Sequence, residues 1–186
     1  MRLLLAALTA GALILSSCGP AATTPTAAPT VAATASPTPA PTPQTRFVFT
    51  ADLKPANEVP PIANAEASCA GKGTFTLNTT KDAAGTITAA NAVFDTDVTG
   101  CPADTKINIG HIHKAAAGAN GSVVVNSGLA AGELTLTAGA AKINKTTATV
   151  DAALATDIIA NPAGYYMNWH STLNPGGILR GQLVKG

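Results

Sequence analysis

Charge is nearly missing from the first quarter of this sequence: Arg2 is the one charged side chain ahead of Arg46. Beyond that point ten Lys/Arg balance ten Asp/Glu. That balance excludes a basic footprint for nucleic acid and a polybasic patch for anionic lipid. Chemistry-bearing motifs are also scarce. No Gly-rich phosphate loop occurs, no serine (Ser16, Ser17 and Ser171 included) sits in a nucleophile elbow, and no pair of catalytic carboxylates stands out, so no enzyme class is indicated. Aromatics make up 4% of the chain, while Thr, Ala, Val, Gly and Asn are frequent. Short apolar alternations between Gly/Asn turns favour strands over helices. No internal repeat is evident.

What the first 45 residues do hold is a leader and a spacer. Arg2, the apolar run Leu3 to Leu15 and then Ser16-Ser17-Cys18 have the layout of a secretory signal peptide. The run is too short for a comfortable transmembrane helix. Its ending resembles the lipobox of bacterial lipoproteins, which implies cleavage after residue 17 and a lipid-bearing Cys18. Gly19 follows the cysteine, so the resemblance implies no aspartate-type retention at an inner membrane. Residues 18–45 then form a Pro/Thr/Ala-rich linker holding seven of the thirteen prolines. Pro37, Pro39, Pro41 and Pro43 favour an extended, disordered tether of about 3.1 Å per residue. The expected location is extracytoplasmic, in a periplasm or at a cell surface, with the membrane as partner through Cys18.

Export decides how the other cysteines are read. Cys69 and Cys101 are predicted to form a disulfide, because a paired set is the common state of thiols outside the cytosol. Both have loop-like flanks, Ala70-Gly71-Lys72-Gly73 and Gly100/Pro102.

From Arg46 the chain reads as one domain, residues 46–186. Phe47, Phe49, Ala51 and Leu53 alternate along 46–53; Pro55, Pro60 and Pro61 then break the strand. Further strands are expected at 73–79, from 86 towards 94, at 105–113, 121–125, 134–137, 142–150, 165–170 and 178–184. Asp151 reads as the N-cap of a short helix to Ala160, ended by Asn161-Pro162. The fold class is all-β: an antiparallel sandwich or flattened barrel of about eight strands, with one helix near 151–160.

Two of the three histidines lie in Gly110-His111-Ile112-His113. In a strand, residues i and i+2 share a face, so His111 and His113 point the same way, and Ile107 and Ile109 are expected on that face. His170 lies in the later strand. Three neutral imidazoles suit copper or zinc; half-buried, hydrogen-bonded structural histidines are the other reading. Tyr165, Tyr166, Asn168 and Ser171 are the neighbours expected to pack beside or orient the rings. Glu58 reads as an acid, a ligand or simply a loop carboxylate. Arg180 reads as an anion contact, a salt-bridge partner or a cap on carbonyls. Asp95 and Asp97 share a strand face, which suits calcium or solvent.

Ala56-Asn57-Glu58-Val59-Pro60-Pro61, the Gly110–His113 motif, Asn120-Gly121, Tyr165–Ser171 and Gly177–Leu183 together resemble the CHRD domain, named from the repeats of chordin and found singly in secreted bacterial proteins. The resemblance spans nearly all of residues 46–186 and implies an exported β domain without an assigned reaction. A weaker resemblance joins the His-X-His pair, the Gly/Asn loop and the late histidine to copper/zinc superoxide dismutase, a β-sandwich with an intradomain disulfide. It implies that His111, His113 and His170 are copper ligands. The bridging histidine and the zinc subsite of that family have no counterpart here, and Arg180 is displaced from its substrate-guiding arginine. The expected function is a non-enzymatic, lipid-anchored module binding a protein or small ligand at the cell surface; the alternative is a copper-binding, redox-capable protein using the three histidines.

Overall fold

The structure, a computed structural model, describes residues 44–147 and 149–186. The leader, Cys18 and the linker up to residue 43 lie outside the described residues. Among the described residues nine strands form two antiparallel sheets: β1 (Gln44–Leu53), β2 (Ala70–Lys81), β3 (Ile87–Thr99), β4 (Ile107–Lys114), β5 (Ser122–Asn126), β6 (Ala141–Thr146), β7 (Tyr165–Ser171), β8 (Leu179–Gln182) and β9 (Val184–Lys185). One sheet runs β6-β3-β2-β1-β9 and the other β5-β4-β7-β8. Both are open, so the domain is a sandwich and not a closed barrel. Helix α1 (Ala152–Ala160) starts where expected, with the Asp151 carboxylate accepting from Leu154 N at 2.9 Å.

The alternating residues of β1, β2 and β3 deliver Phe49, Phe75 and Phe94 to the interior, where Trp169 of β7 completes an aromatic row. Burying such side chains contributes about 1.5–3 kcal/mol each. Trp169 Nε1 donates to Thr96 Oγ1 at 3.2 Å, which satisfies the one polar atom the indole brings inside. Gly110 lies directly across from Trp169 in the β4–β7 ladder. A Cβ there would fall 2.2 Å from the indole ring, so the glycine of the Gly-His-Ile-His motif is required by the core.

Cys69 and Cys101 are bonded, 32 residues apart in sequence, and tie the start of β2 to the end of β3. Three expectations change. The 134–137 stretch is not a strand; Thr137 and Ala140 form a lone bridge around Ala138 and Gly139, both at positive φ. The strand predicted to reach Val150 stops at Thr146. The last predicted strand divides at buried Leu183, because β8 pairs with β7 while β9 crosses to β1 in the other sheet.

Candidate metal centre

The register β4-β7-β8 sets His111 opposite Asn168, His113 opposite Tyr166 and Ile109 opposite His170, with Arg180 and Gln182 next to Asn168 and Tyr166 on the far side. These residues share the face of the sheet turned away from the core. All of β7 is nevertheless buried on both faces. Three loops cover the outer side: the Pro55–Pro61 segment, the Ala115–Gly121 turn and the Thr172–Gly177 turn. The first two are tied to the sheet and to each other by polar side chains, and the third is held by Asn174 Nδ2 donating to Glu66. Asn57 Nδ2 donates to Arg180 O at 2.9 Å, Asn120 Nδ2 to Val59 O at 2.8 Å, and Gln182 Nε2 to Ala115 O at 2.7 Å.

One sequence expectation fails here. Ile107 is 1% exposed and belongs to the hydrophobic core, not to the histidine face. The β4–β7 register slips between Ile107 and Ile109, so an extra residue intervenes and parity reverses.

His111, His113 and His170 meet beneath the loops. One candidate ligand atom from each lies within 4.8 Å of the other two. His111 Nδ1 stands 3.1 Å from His170 Nε2, close to the roughly 3.4 Å that separates two nitrogens bound tetrahedrally to one metal at about 2.05 Å. Backbone carbonyls settle two tautomers. His113 Nδ1 faces Gly121 O at 2.9 Å and His170 Nδ1 faces Pro175 O at 2.9 Å; only an N–H can donate to a carbonyl, so Nε2 of each ring carries the lone pair. As the rings stand, His111 Nδ1–H then donates to His170 Nε2; for both nitrogens to ligate one metal, the His111 proton must move to its Nε2. His113 Nε2 is buried and has no hydrogen-bond partner. A buried unpaired polar atom costs about 1–3 kcal/mol, which marks it as a group awaiting a partner.

Burial pushes the pKa of all three imidazoles down, His111 to about 4; the other two rings add to the effect at His111, the Arg180 charge at His113 and the His113 ring at His170. The set is therefore neutral at pH 7, the form that coordinates metals.

Of the four predicted neighbours, two are at the site. Tyr166 stacks on His113 with ring centroids 4.8 Å apart and planes 8° from parallel, and its hydroxyl accepts from Gly121 N at 3.3 Å. Asn168 sits between His111 and Arg180. Tyr165 instead turns to Asp157, 2.5 Å from its hydroxyl, and Ser171 donates to Glu66 at 2.6 Å on the core-facing side. Asp95 and Asp97 remain on an exposed surface, bonded to Asn144 and Lys142.

Arg180 is a carbonyl cap, as one of its three sequence readings had it. It is 2% exposed and donates to Ala119 O at 2.5 Å, Ala116 O at 3.4 Å and Asn120 Oδ1 at 3.1 Å. Its guanidinium carbon lies 3.7 Å from the centroid of the Tyr166 ring. Glu58 lies in the Pro-rich loop but is buried there: it is 5% exposed, and its Oε1 has no partner. Burial raises its pKa to about 7 against the opposing pull of Arg180. A side chain at Gly177 would fall 2.7 Å from Glu58 Oε1 and 2.5 Å from Asn168 Nδ2, so glycine is needed where that turn crosses them. The roles of Asn57, Gln182 and the carbonyls of Gly121 and Pro175 have no signature in the sequence, because a backbone acceptor is the same at every residue.

An all-β sandwich with a loop-covered, three-histidine outer face is the class of protein these features define. The family model described as the CHRD domain matches residues 49–183, and the chain belongs to that family. No curated protein and no solved structure matches the chain.

Proposed function

We propose that this CHRD domain is a copper-binding, redox-capable protein carried outside the cytoplasm on a lipid at Cys18. The observation that carries the reading is the convergence of three neutral imidazoles with a buried, unpartnered His113 Nε2 and with two carbonyls holding the N–H of His113 and His170 away from the common point. In a purely structural set His113 Nε2 too would be expected to have a protein partner. When bound, copper would supply one-electron chemistry. The chain's own part is to hold the rings, limit water and keep the donors deprotonated.

The test is metal content and copper titration of the purified protein beside His111→Ala. Stoichiometric binding that disappears in the variant supports the reading, and turnover of superoxide is then the first redox assay. A folded protein that takes up no copper sinks it. Lipidation is tested separately: membrane association is expected to be lost in Cys18→Ala.

The surface-module reading keeps one supporting observation. Val59 and Leu173, exposed at 37% and 60%, line one groove with Pro60, Pro61 and Pro175, an apolar rim beside the histidine face. A partner captured through this rim, and lost in Leu173→Asp, supports that role.

A further inference from the structure

We propose that Arg180 sets the oxidation state favoured at the three-histidine site: its buried charge, stacked on Tyr166 behind His113, biases bound copper towards the cuprous form. The inference rests on the copper reading above. Strand β7 lies between β4 and β8, so His113 and Arg180 approach Tyr166 from its two sides. On one side the imidazole stacks at 4.8 Å; on the other the guanidinium carbon stands 3.7 Å from the ring centroid. No carboxylate lies within ion-pair range of Arg180 among the described residues, and its N–H groups are turned to the neutral acceptors of the Ala115–Gly121 loop. The charge is thus desolvated and held in no ion pair, so its field reaches far; the Glu58 carboxyl, beyond that range, offsets it in part once ionised.

The donor set points the same way. Three neutral imidazoles supply no thiolate or carboxylate to offset a second positive charge, and divalent copper favours a tetragonal set of four donors that these residues do not complete. Capping loop carbonyls does not need this placement over an aromatic ring next to a ligand. A charge on the order of 10 Å from the metal, at an effective dielectric constant of about 20, changes a one-electron equilibrium by about tenfold.

The couple is Cu(II) gaining one electron, supplied by a redox mediator of known potential. The measurement is the midpoint potential of the copper-loaded full-length protein, with the Cu(II) electron paramagnetic resonance signal as the monitor, in the parent, Arg180→Gln and Arg180→Lys. Copper stoichiometry is recorded first; absence of copper from the parent overturns both this inference and the reading beneath it. Loss of the charge in Arg180→Gln is expected to reduce the preference for Cu(I) about tenfold, which is 59 mV for a one-electron couple. Arg180→Lys, which loses the planar fork but keeps the charge, is expected to stay near the parent. Equal potentials in parent and Arg180→Gln, or equal shifts in both variants, overturn the inference while leaving copper binding intact. Should Arg180→Gln fail to fold, Glu58→Gln replaces it. At about pH 8 the Glu58 carboxyl, with its pKa near 7, is ionised beside Arg180, and its removal is expected to raise the potential. An unchanged potential there overturns the inference.

Discussion

An imidazole coordinates a metal only through a nitrogen without its proton, so at the scale of single residues the carbonyls of Gly121 and Pro175 matter as much as the rings. Gly121 is the more exposed to test. A Cβ at that position would sit 2.1 Å from Lys114 O, so Gly121→Ala must move the turn that holds His113 Nδ1 and that donates to Tyr166. Loss of a second-shell partner typically weakens metal affinity 10–100-fold. That is the expected loss of copper affinity in Gly121→Ala, measured by competition with a chelator of known strength. His111 makes a prediction about pH. Its folded pKa of about 4 is below the ordinary value of 6.5, so between those values the unfolded chain takes up a proton that the folded domain refuses. Its contribution is complete above about pH 6.5 and is lost as pH falls through 4. The total is on the order of 3 kcal/mol for the full passage. Denaturant melts of metal-free protein at successive pH values are expected to show this decline, and His111→Phe is expected to flatten it. An unchanged slope in the variant assigns the decline to other groups.

At the scale of elements, β4 does two jobs with alternate side chains. Gly110 and Ile112 face the core, while His111 and His113 face the loops. Gly110→Ala would press a methyl group into the Trp169 ring, and overpacking of this kind typically costs 1–3 kcal/mol. The expected result is a lower melting temperature with three-histidine copper binding retained in the folded fraction, since the clash lies on the opposite face. The same alternation made much of this strand legible in sequence: an i, i+2 histidine pair has one face in any register. The position of Ile107 was not legible, because the slip that turns it inward is decided by hydrogen bonding to β7. The burial of Glu58 was not legible for a related reason. Its Pro-rich neighbours correctly signalled a break in strand pairing, but that the break folds down as a cover over Asn168 and Arg180 depends on chain far away in sequence. Conversely, the Asp151 cap and Asn161-Pro162 stop are local signals, and α1 lies between them as expected.

For the whole molecule, the disulfide and the histidine site are joined by one polar route. Cys69 follows the short turn Ala65–Ser68, which carries Glu66. The buried Glu66 carboxylate accepts from Ser171 Oγ and from Asn174 Nδ2, and thereby anchors the Thr172–Gly177 turn whose Pro175 carbonyl orients His170. Opening the Cys69–Cys101 bond therefore has two separable effects. The larger acts on the unfolded chain: freeing a loop of this length removes about 3–4 kcal/mol of stability in the chain-entropy model. The smaller acts on the folded state, through slack in the turn that holds one of three ligands. A Cys69→Ser/Cys101→Ser double variant is expected to unfold at a markedly lower denaturant concentration. While folded, it is expected to lose less copper affinity than Gly121→Ala, because Glu66 still holds both Ser171 and Asn174. Parallel denaturation and chelator competition on the two variants check the ordering. Copper affinity falling further in the double variant than in Gly121→Ala would mean that the Thr172–Gly177 turn is held chiefly by the disulfide, and not by the Glu66 carboxylate.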